Sequence, residues 1–169
     1  MINRRRKERA YATINSPNFW AKVDNRGDCW QWTGGLNTSG YGQMHVPGGG
    51  GVKVLAYHVT YIAFMADIKD GQEIDHRCGN RACVNPSHLR AVTKKQNQEN
   101  RRSARRDNRS SGLLGATWCE PMNKWRARVQ HDGKGYSGGY FECKFEAAEA
   151  ARQLRNRLYT HNDWDRRAA

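Results

Sequence analysis

Cysteine and histidine side chains in the first half of the chain are spaced as metal ligands are. His76 stands two residues before Cys78, and four residues separate Cys78 from Cys83. Four more residues separate Cys83 from His88, and a further cysteine, Cys29, lies far upstream. Three thiolates and one imidazole complete the tetrahedral shell of a structural Zn²⁺, which has no open position. The pattern therefore predicts a structural zinc site formed by Cys29, Cys78, Cys83 and His88.

Two other histidines, His45 and His58, compete with His88 as the fourth ligand. The alternative without a metal is a set of unligated buried cysteines beside a surface histidine. The chain has five cysteines, and an odd number without a secretory signal argues against a disulfide scaffold. The remaining pair, Cys119 and Cys143, has no such histidine neighbours and is predicted to lie in strands or loops.

The charge balance predicts a polyanionic partner. The chain has 169 residues, with 29 Lys and Arg against 16 Asp and Glu, a formal net charge of +13 and a pI near 9.9. A small chain of this charge is expected to bind nucleic acid. No apolar run follows the basic N-terminus, and none approaches the roughly 20 residues of a membrane span. We therefore expect a cytoplasmic protein, with no membrane or protein partner evident.

Composition divides the chain into four segments. Residues 1–16 form a basic arm without hydrophobic periodicity, and residues 17–101 form a first domain that holds the candidate zinc ligands. Residues 102–111 form an arginine-rich linker, and residues 112–162 form a second compact domain. Both domains combine strand and helix patterns, so the expected fold class is α+β.

Three elements of the first domain must position its candidate site. Residues 54–66 carry apolar side chains at helical spacing and are predicted to form a helix, although their β-branched content also suits a strand. EIDH, residues 73–76, is a short strand. Thr93 followed by Gln96 is a capping-box pattern that starts a helix. That helix places three polar side chains on one side: Asn97, Asn100 and Arg101.

The second domain is predicted to be a three-stranded antiparallel sheet packed on one helix. GATWC, KWRARVQ and YSGGYF read as strands, and Asp132-Gly133 is typical of a hairpin turn between the last two. In the middle strand, Trp125, Ala127 and Val129 alternate with a polar set: Lys124, Arg126, Arg128 and Gln130. The final helix has an apolar stripe that is expected to cover the apolar sheet face: Phe145, Ala148, Ala151, Leu154 and Leu158.

The residues of the first domain resemble those of a known nuclease family. The pattern H-x-C-x4-C-x2-P-x-H-L followed by Asn, over residues 76–97, resembles the His-Cys box of homing endonucleases within the HNH, ββα-metal (His-Me finger) class. Asp75 before His76 is similar to the phage HNH intron-endonuclease variant. The resemblance covers about residues 28–101. It implies a zinc-stapled ββα-metal domain that hydrolyses a DNA phosphodiester, and it supports the zinc ligand set.

The resemblance also implies a role for three residues. A histidine with an unperturbed pKa near 6.5 takes a water proton at neutral pH, and we assign that role to His76. A single Mg²⁺ would bridge the phosphate and the 3′ oxygen, with oxygen ligands from Asn97 and Asp75. His-Cys box members use the asparagine alone, and Asn100 is the alternative to Asn97. The cation near the leaving oxygen has two candidates: Lys53 and Arg77.

A second series of motifs lies in the C-terminal domain. G-x-x-W, KWRARV, DGK, GGYF and EAAEAA follow one another over about residues 112–160. This series resembles the ethylene-response-factor (AP-two type) DNA-binding domain of plants. Thr117, Cys119 and Ser137 replace arginine or tryptophan of plant members, so the plant target sequence does not carry over. The resemblance implies double-stranded DNA as the partner, with a protein-interaction sheet as the alternative. The expected DNA contacts are Lys124, Arg126, Arg128, Gln130, Thr117 and Trp118.

The basic arm and the linker arginines are expected to contact phosphates without reading sequence, although a solvated linker is the simpler alternative. These arginines are Arg101, Arg102, Arg105, Arg106 and Arg109. The sequence thus predicts a two-domain, metal-dependent DNA endonuclease, monomeric or homodimeric, that nicks duplex DNA at a site chosen by its second domain. A catalytically silent, zinc-containing DNA-binding regulator is the main alternative, and an RNA-directed nuclease is a third.

Overall fold

The computed structural model of the chain is a mixed α/β structure with small sheets. It describes residues 2–101, 103–104, 108 and 110–167. The chain divides into two compact units, Met1–Lys94 and Lys95–Ala169. Within the described part of the chain, no helix has the length and apolar character that crossing a membrane requires.

The first unit combines short strand pairs with helices. Its helices are α1 (Ile2–Ile14), α2 (Pro17–Trp20) and α3 (Ala56–Phe64). Its strands form antiparallel pairs: β1 (Val23–Asp24) with β2 (Gln31–Trp32), β3 (Gln43–His45) with β4 (Lys53–Leu55), and β5 (Gln72–His76) with β6 (Leu89–Thr93). The loop between β5 and β6 contains the 3-10 turn Pro86–His88, which leads directly into β6.

Helix α3 is the central element of the first unit. Most of its surface is apolar and buried, which resolves the helix-or-strand ambiguity of residues 54–66 in favour of a helix preceded by β4. Val59 and Ile62 of this helix belong to one core with Ile74 of β5. Phe19 of α2 is fully buried in the same core, and its ring centroid lies 5.2 Å from that of Trp32. The core therefore connects β5, which carries the candidate base, to the helices.

Helix α1 occupies the segment that was predicted from the sequence to be a basic arm without hydrophobic periodicity. Ala10 and Ile14 are buried in the core of the first unit, and Arg6 donates a hydrogen bond to the carbonyl oxygen of Ile68 over 3.2 Å. Two apolar residues one helical turn apart are too few to produce a periodic signal among so many charges. They are enough to anchor the helix, so its basic side chains project from a packed element.

The second unit contains the predicted three-stranded antiparallel sheet. Its strands, in the order β7-β8-β9, are β7 (Ala116–Cys119), β8 (Lys124–His131) and β9 (Lys134–Phe141). Its helices are α4 (Lys94–Glu99), which begins at the boundary, α5 (Lys144–Leu158) and α6 (Asp163–Arg167). The hairpin turn between β8 and β9 has φ 50° at Asp132 and 73° at Gly133. Two consecutive left-handed residues match the turn that an Asp-Gly pair favours.

Helix α4 is held within the second unit, which explains why the division precedes the predicted linker. The carboxylate of Glu99 is buried and accepts hydrogen bonds from the backbone N–H of Thr160 (2.9 Å) and of His161 (3.2 Å). Lys95 Nζ lies 2.5 Å from Asp132 Oδ1 in the hairpin turn. Contacts that span some sixty residues of sequence leave no local pattern, so composition alone could not place this helix.

The second unit also extends beyond residue 162, where the sequence predicted it to end. Arg155 of α5 is buried, and its guanidinium makes two hydrogen bonds to Asp165 of α6, at 2.6 and 3.1 Å. A third hydrogen bond joins Arg155 to the carbonyl oxygen of Leu114. A paired and fully hydrogen-bonded charge of this kind ties α6 to the rest of the unit.

The buried face of α5 is rotated from the predicted stripe. Ala147, Ala151 and Leu154 are buried against Ala127 and Val129 of the sheet. By contrast, Phe145 is 63% exposed, and Ala148 is only partly buried. Small residues lie at the centre because the helix approaches the sheet closely, and a phenylalanine ring fits only at the edge of such a contact.

We expect Gly115→Ala to destabilise the second unit by about 2–4 kcal/mol, through steric overlap added to backbone strain. Gly115 has φ +85°, and a Cβ there would lie 2.6 Å from the Cβ of Ala151. Gly133→Ala is the matched control, because Gly133 has φ +73° and nothing within 4 Å of an added Cβ. Urea unfolding of the two variants measures the difference. Equal losses of stability would show that the close approach of α5 to the sheet is not a tight contact.

Candidate active site and metal centre

Four predicted zinc ligands meet in the first unit. The ligand atoms of Cys29, Cys78, Cys83 and His88 all lie within 4.8 Å of one another. The sulfur atoms of Cys29 and Cys83 are each 3.6 Å from Nδ1 of His88. Three sulfurs and one ring nitrogen are the donor set that a closed tetrahedral Zn²⁺ site uses. This cluster can therefore bind zinc.

The other candidate ligands lie elsewhere in the unit. His45 is exposed on β3, and its Nδ1 lies 3.2 Å from the carbonyl oxygen of Gly51. His58 lies on α3 with its ring against that of Tyr57. Neither belongs to the cluster, so the tertiary structure selects His88 among the three histidines.

The imidazole of His88 is oriented by its surroundings. Its Nε2 lies 3.4 Å from Oδ1 of Asp28, which leaves Nδ1 directed at the sulfur atoms. Asn85 caps the 3-10 turn that carries His88, and its side chain donates to the carbonyl oxygen of Asp28 over 2.8 Å. A carboxylate behind a ligating histidine fixes its tautomer and its ring orientation. Asp28 was not singled out from the sequence, where only its place next to Cys29 marks it.

One thiol of the cluster is prepared for deprotonation. A hydrogen bond from the Cys83 thiol lowers the pKa of Cys78 to about 5. The same interaction, together with burial, raises the pKa of Cys83. Metal binding displaces the remaining thiol protons. The affinity for zinc is therefore expected to decrease as the pH is lowered.

His76 is held by a backbone carbonyl at the end of β5. Its side chain is buried, and Nε2 lies 3.1 Å from the carbonyl oxygen of Cys83. A carbonyl oxygen only accepts hydrogen bonds, so Nε2 carries the ring proton and Nδ1 carries the lone pair. Burial lowers the pKa of His76 to about 4. The ring is therefore neutral at neutral pH, with Nδ1 able to accept a proton.

Two tyrosines that sequence reasoning missed enclose this histidine. The ring centroids of Tyr57 and Tyr41 lie 4.6 and 5.8 Å from that of His76. Tyr57 is buried, and desolvation raises the pKa of its phenol. Tyr57 lies within residues 54–66, which were predicted to form a helix. The sequence pattern indicated only a core residue there and did not indicate a contact with His76.

Asp75 is paired with a cation across the strand pair. Asp75 and Arg90 are opposite one another in the register of β5 and β6. Oδ2 of Asp75 accepts hydrogen bonds from Nε and Nη2 of Arg90, at 3.0 and 2.8 Å. Arg90 thus places a positive charge beside the candidate site, a role for which the sequence had suggested Lys53 or Arg77. No sequence signal indicates Arg90, because its pairing depends on strand register.

Helix α4 carries one of the two candidate asparagines. Asn97 lies in the helix and is half-buried, whereas the helix ends at Glu99, so Asn100 and Arg101 follow it. Asn100 is buried and Arg101 is exposed. The prediction that these three side chains share one face of a longer helix is therefore wrong. The metal-ligand role of Asn97 remains a prediction.

The second unit presents most of the predicted DNA-contacting residues on one sheet face. Thr117, Arg126 and Tyr140 are neighbours across the three strands, and Arg128 and Gln130 are exposed further along β8. Tyr140 is 42% exposed and was not predicted to contact DNA.

Other predicted DNA contacts are placed differently. Lys124 forms an ion pair with Glu142, at 3.0 Å. Trp118 alternates with Thr117 and packs on Trp125, at 5.1 Å between centroids, so it belongs to the opposite face. Four linker arginines lie outside the described residues: Arg102, Arg105, Arg106 and Arg109.

His58 gives the first unit a pH-dependent stability. Burial, with smaller contributions from the neighbouring Arg6 and His76 side chains, lowers its pKa to about 4. A histidine with a depressed folded pKa binds protons preferentially in the unfolded chain, so it costs stability as the pH falls below 6.5, until the cost levels off below 4. We expect wild type to lose about 2 kcal/mol relative to His58→Gln between pH 7 and pH 5. Urea unfolding at both values measures this; parallel pH profiles would contradict it.

Comparison with known proteins finds similarities in the middle of the chain. Residues 55–99 match the HNH endonuclease family model. Over 76 residues, 45% of this chain, it is 38% identical to Protein 2.8 of Escherichia phage T7, covering 50% of that protein. Over 72 residues, 43% of the chain, it is 36% identical to Protein 7.7 of the same phage, covering 53% of it. The chain thus spans about half the length of these curated relatives. No solved structure matches it significantly.

Proposed function

We propose that this chain is a metal-dependent DNA endonuclease of the HNH type. The observation that carries the proposal is the geometry of His76. Its Nε2 is held by the carbonyl oxygen of Cys83, and its Nδ1 can accept a proton. This histidine lies within the segment that matches the HNH endonuclease model, which supports a nuclease. The net charge of +13 suits a DNA substrate.

The proposed reaction is hydrolysis of a phosphodiester by water. His76 takes one proton from the attacking water at Nδ1, while its Nε2–H continues to donate a hydrogen bond to the carbonyl oxygen of Cys83. The water oxygen forms the new bond to phosphorus as the bond to the 3′ oxygen breaks, and the 3′ oxygen leaves with a proton from solvent. Mg²⁺ bound to oxygens of Asn97 and Asp75 would stabilise charge on the phosphate and the leaving oxygen. Arg90 positions Asp75 from the neighbouring strand.

The zinc cluster is proposed to be structural. All four donors are protein side chains, which leaves no position for a water or a phosphate oxygen. Cys83 supplies both a sulfur to the cluster and a carbonyl oxygen to His76, so bound zinc would hold the base in place. With β5, β6 and α4 consecutive in the chain, we infer a ββα-metal arrangement of the His-Cys box kind.

We infer that the second unit selects the DNA site, as an ethylene-response-factor-like domain. Arg128 and Gln130 are exposed on its sheet and suit base edges in a major groove. Arg126 and Thr117 lie beside them, and Arg101 with the linker arginines would contact phosphates. Trp118 is not part of this surface.

A chain with one active site is proposed to nick duplex DNA as a monomer, in the manner of a phage homing endonuclease in its host cell. Supercoiled DNA from the source genome, incubated with Mg²⁺, should become nicked circles, and a chelator should prevent this. Linear product that appears together with nicked circles would contradict nicking and indicate a homodimer. Competition between duplex DNA and RNA separates a DNA nuclease from an RNA-directed one. Salt-sensitive binding without any cleavage would support the regulator instead.

A further inference from the structure

A basic cleft lies in the first unit, with His58 in its wall. It has a volume of about 470 Å³ and is lined by α1, β4 and α3. Its charged lining consists of Arg5, Arg6, Arg9 and Lys53, with no acidic side chain among the lining residues. Four positive charges in one concave surface attract a polyanion more strongly than the same charges dispersed over a convex one.

Two arginines of this cleft are available for a ligand. Arg5 and Arg9 are exposed, and neither has a carboxylate partner within the part of the chain that the structure describes. Their neighbours on α1 differ, because Arg4 pairs with Glu8 at 2.9 Å and Lys7 lies 3.6 Å from Asp67. Arg6 is half-buried and donates a hydrogen bond to the carbonyl oxygen of Ile68. It therefore anchors helix α1, and we do not count it among the ligand contacts.

The cleft is connected to the candidate base through two packed rings. His58 lines the cleft and packs on Tyr57, with 4.5 Å between ring centroids. Tyr57 in turn lies 4.6 Å from the ring of His76. A ligand in the cleft would therefore lie within a few side chains of the reacting centre. The neutral ring of His58 could offer it a hydrogen bond.

We propose that the α1–β4–α3 cleft binds the DNA backbone next to the phosphate that is cut, with Arg5, Arg9 and Lys53 as its contacts. This inference rests on the proposed function. Arg5 and Arg9 are one helical turn apart, about 6 Å along the axis, and lie side by side. Two guanidinium groups at this spacing suit consecutive phosphates of one strand, whereas a single free phosphate requires groups that converge. Helix α1 is thus a substrate-binding element that contributes affinity for the strand.

Salt-dependent DNA binding tests this proposal. In a His76→Ala background, Arg5→Gln with Arg9→Gln should make the negative slope of log K against log salt shallower by about 1.8, since each lost phosphate contact removes about 0.9 from its magnitude. At 0.1 M salt this corresponds to roughly 10- to 60-fold weaker binding. The control, Arg4→Gln with Lys7→Gln, removes the same charge from the same helix outside the cleft. It should change the slope by less than about half a contact.

Cleavage and competition distinguish the possible failures. With His76 intact, the Arg5 and Arg9 double variant should raise KM and leave kcat within about twofold, because phosphate contacts that do not touch the reacting atoms bind substrate and transition state alike. Equal slopes for the cleft and control variants would overturn the cleft proposal even if wild type cleaves DNA. Competition by inorganic phosphate at constant ionic strength would reassign the cleft to a free anion. A slope loss in the cleft variants of a protein that never cleaves would uphold the cleft and overturn the nuclease.

Discussion

His76→Ala is expected to lower the rate of DNA cleavage by roughly 10²- to 10⁴-fold, the usual contribution of a positioned general base. The variant loses the Nδ1 lone pair that the Cys83 carbonyl keeps available. Binding should be unchanged, because the buried ring offers no charge to DNA. Single-turnover cleavage and DNA binding, measured on the same preparation, separate these effects.

His45→Ala is the matched control for that loss. His45 is exposed on β3 and contacts the carbonyl oxygen of Gly51, outside both the zinc cluster and the candidate base. Its removal should leave cleavage within about twofold, as expected of a surface substitution. Cleavage by His76→Ala at more than a tenth of the wild-type rate would exclude His76 as the base. Loss of binding in His76→Ala would instead point to misfolding, which thermal unfolding of that variant would reveal.

Cys78→Ser is expected to abolish zinc binding and the cooperative unfolding of the first unit. Structural zinc contributes about 10–16 kcal/mol of binding free energy to the folded state. The free energy of unfolding of a whole domain is about 5–15 kcal/mol. The free energy lost with the metal is therefore as large as the total stability of the domain, and the apolar core alone cannot keep the unit folded. Metal analysis should find about one Zn²⁺ per wild-type chain, as a single tetrahedral site requires, and almost none in the variant.

Cys119→Ser provides the control for this experiment. Cys119 ends β7 in the second unit and does not belong to the cluster. The Cys119→Ser variant should therefore retain both the bound zinc and the unfolding transition of the first unit. An unchanged transition in Cys78→Ser, with zinc absent, would refute the structural role of the metal. Zinc retained at full stoichiometry in that variant would refute the ligand assignment.

Short-range relations account for most of what could be predicted. The hairpin at Asp132-Gly133 and the alternation along β8 follow from backbone rules that act over a few residues. The exposed Phe145 in α5 shows the limit of such rules. A helical pattern of apolar residues identifies a broad face of the helix. Which side chains on that face are buried depends on where the helix lies closest to the sheet. At α1 the same limit appears, since burial of Ala10 and Ile14 depends on a partner distant in sequence.

The sequence by itself determined the chemistry available to this protein. His76, Cys78, Cys83 and His88 fall within thirteen residues, so one short segment supplies the candidate base and three of the four candidate zinc ligands. Only the tertiary structure decided which distant residues complete the site. Packing brings Cys29 to the cluster and leaves His45 and His58 out of it. Strand register sets Arg90 against Asp75, and a carbonyl fixes the imidazole tautomer. These contacts form only when the hydrophobic core packs the strands and loops together. The local sequence therefore does not predict them.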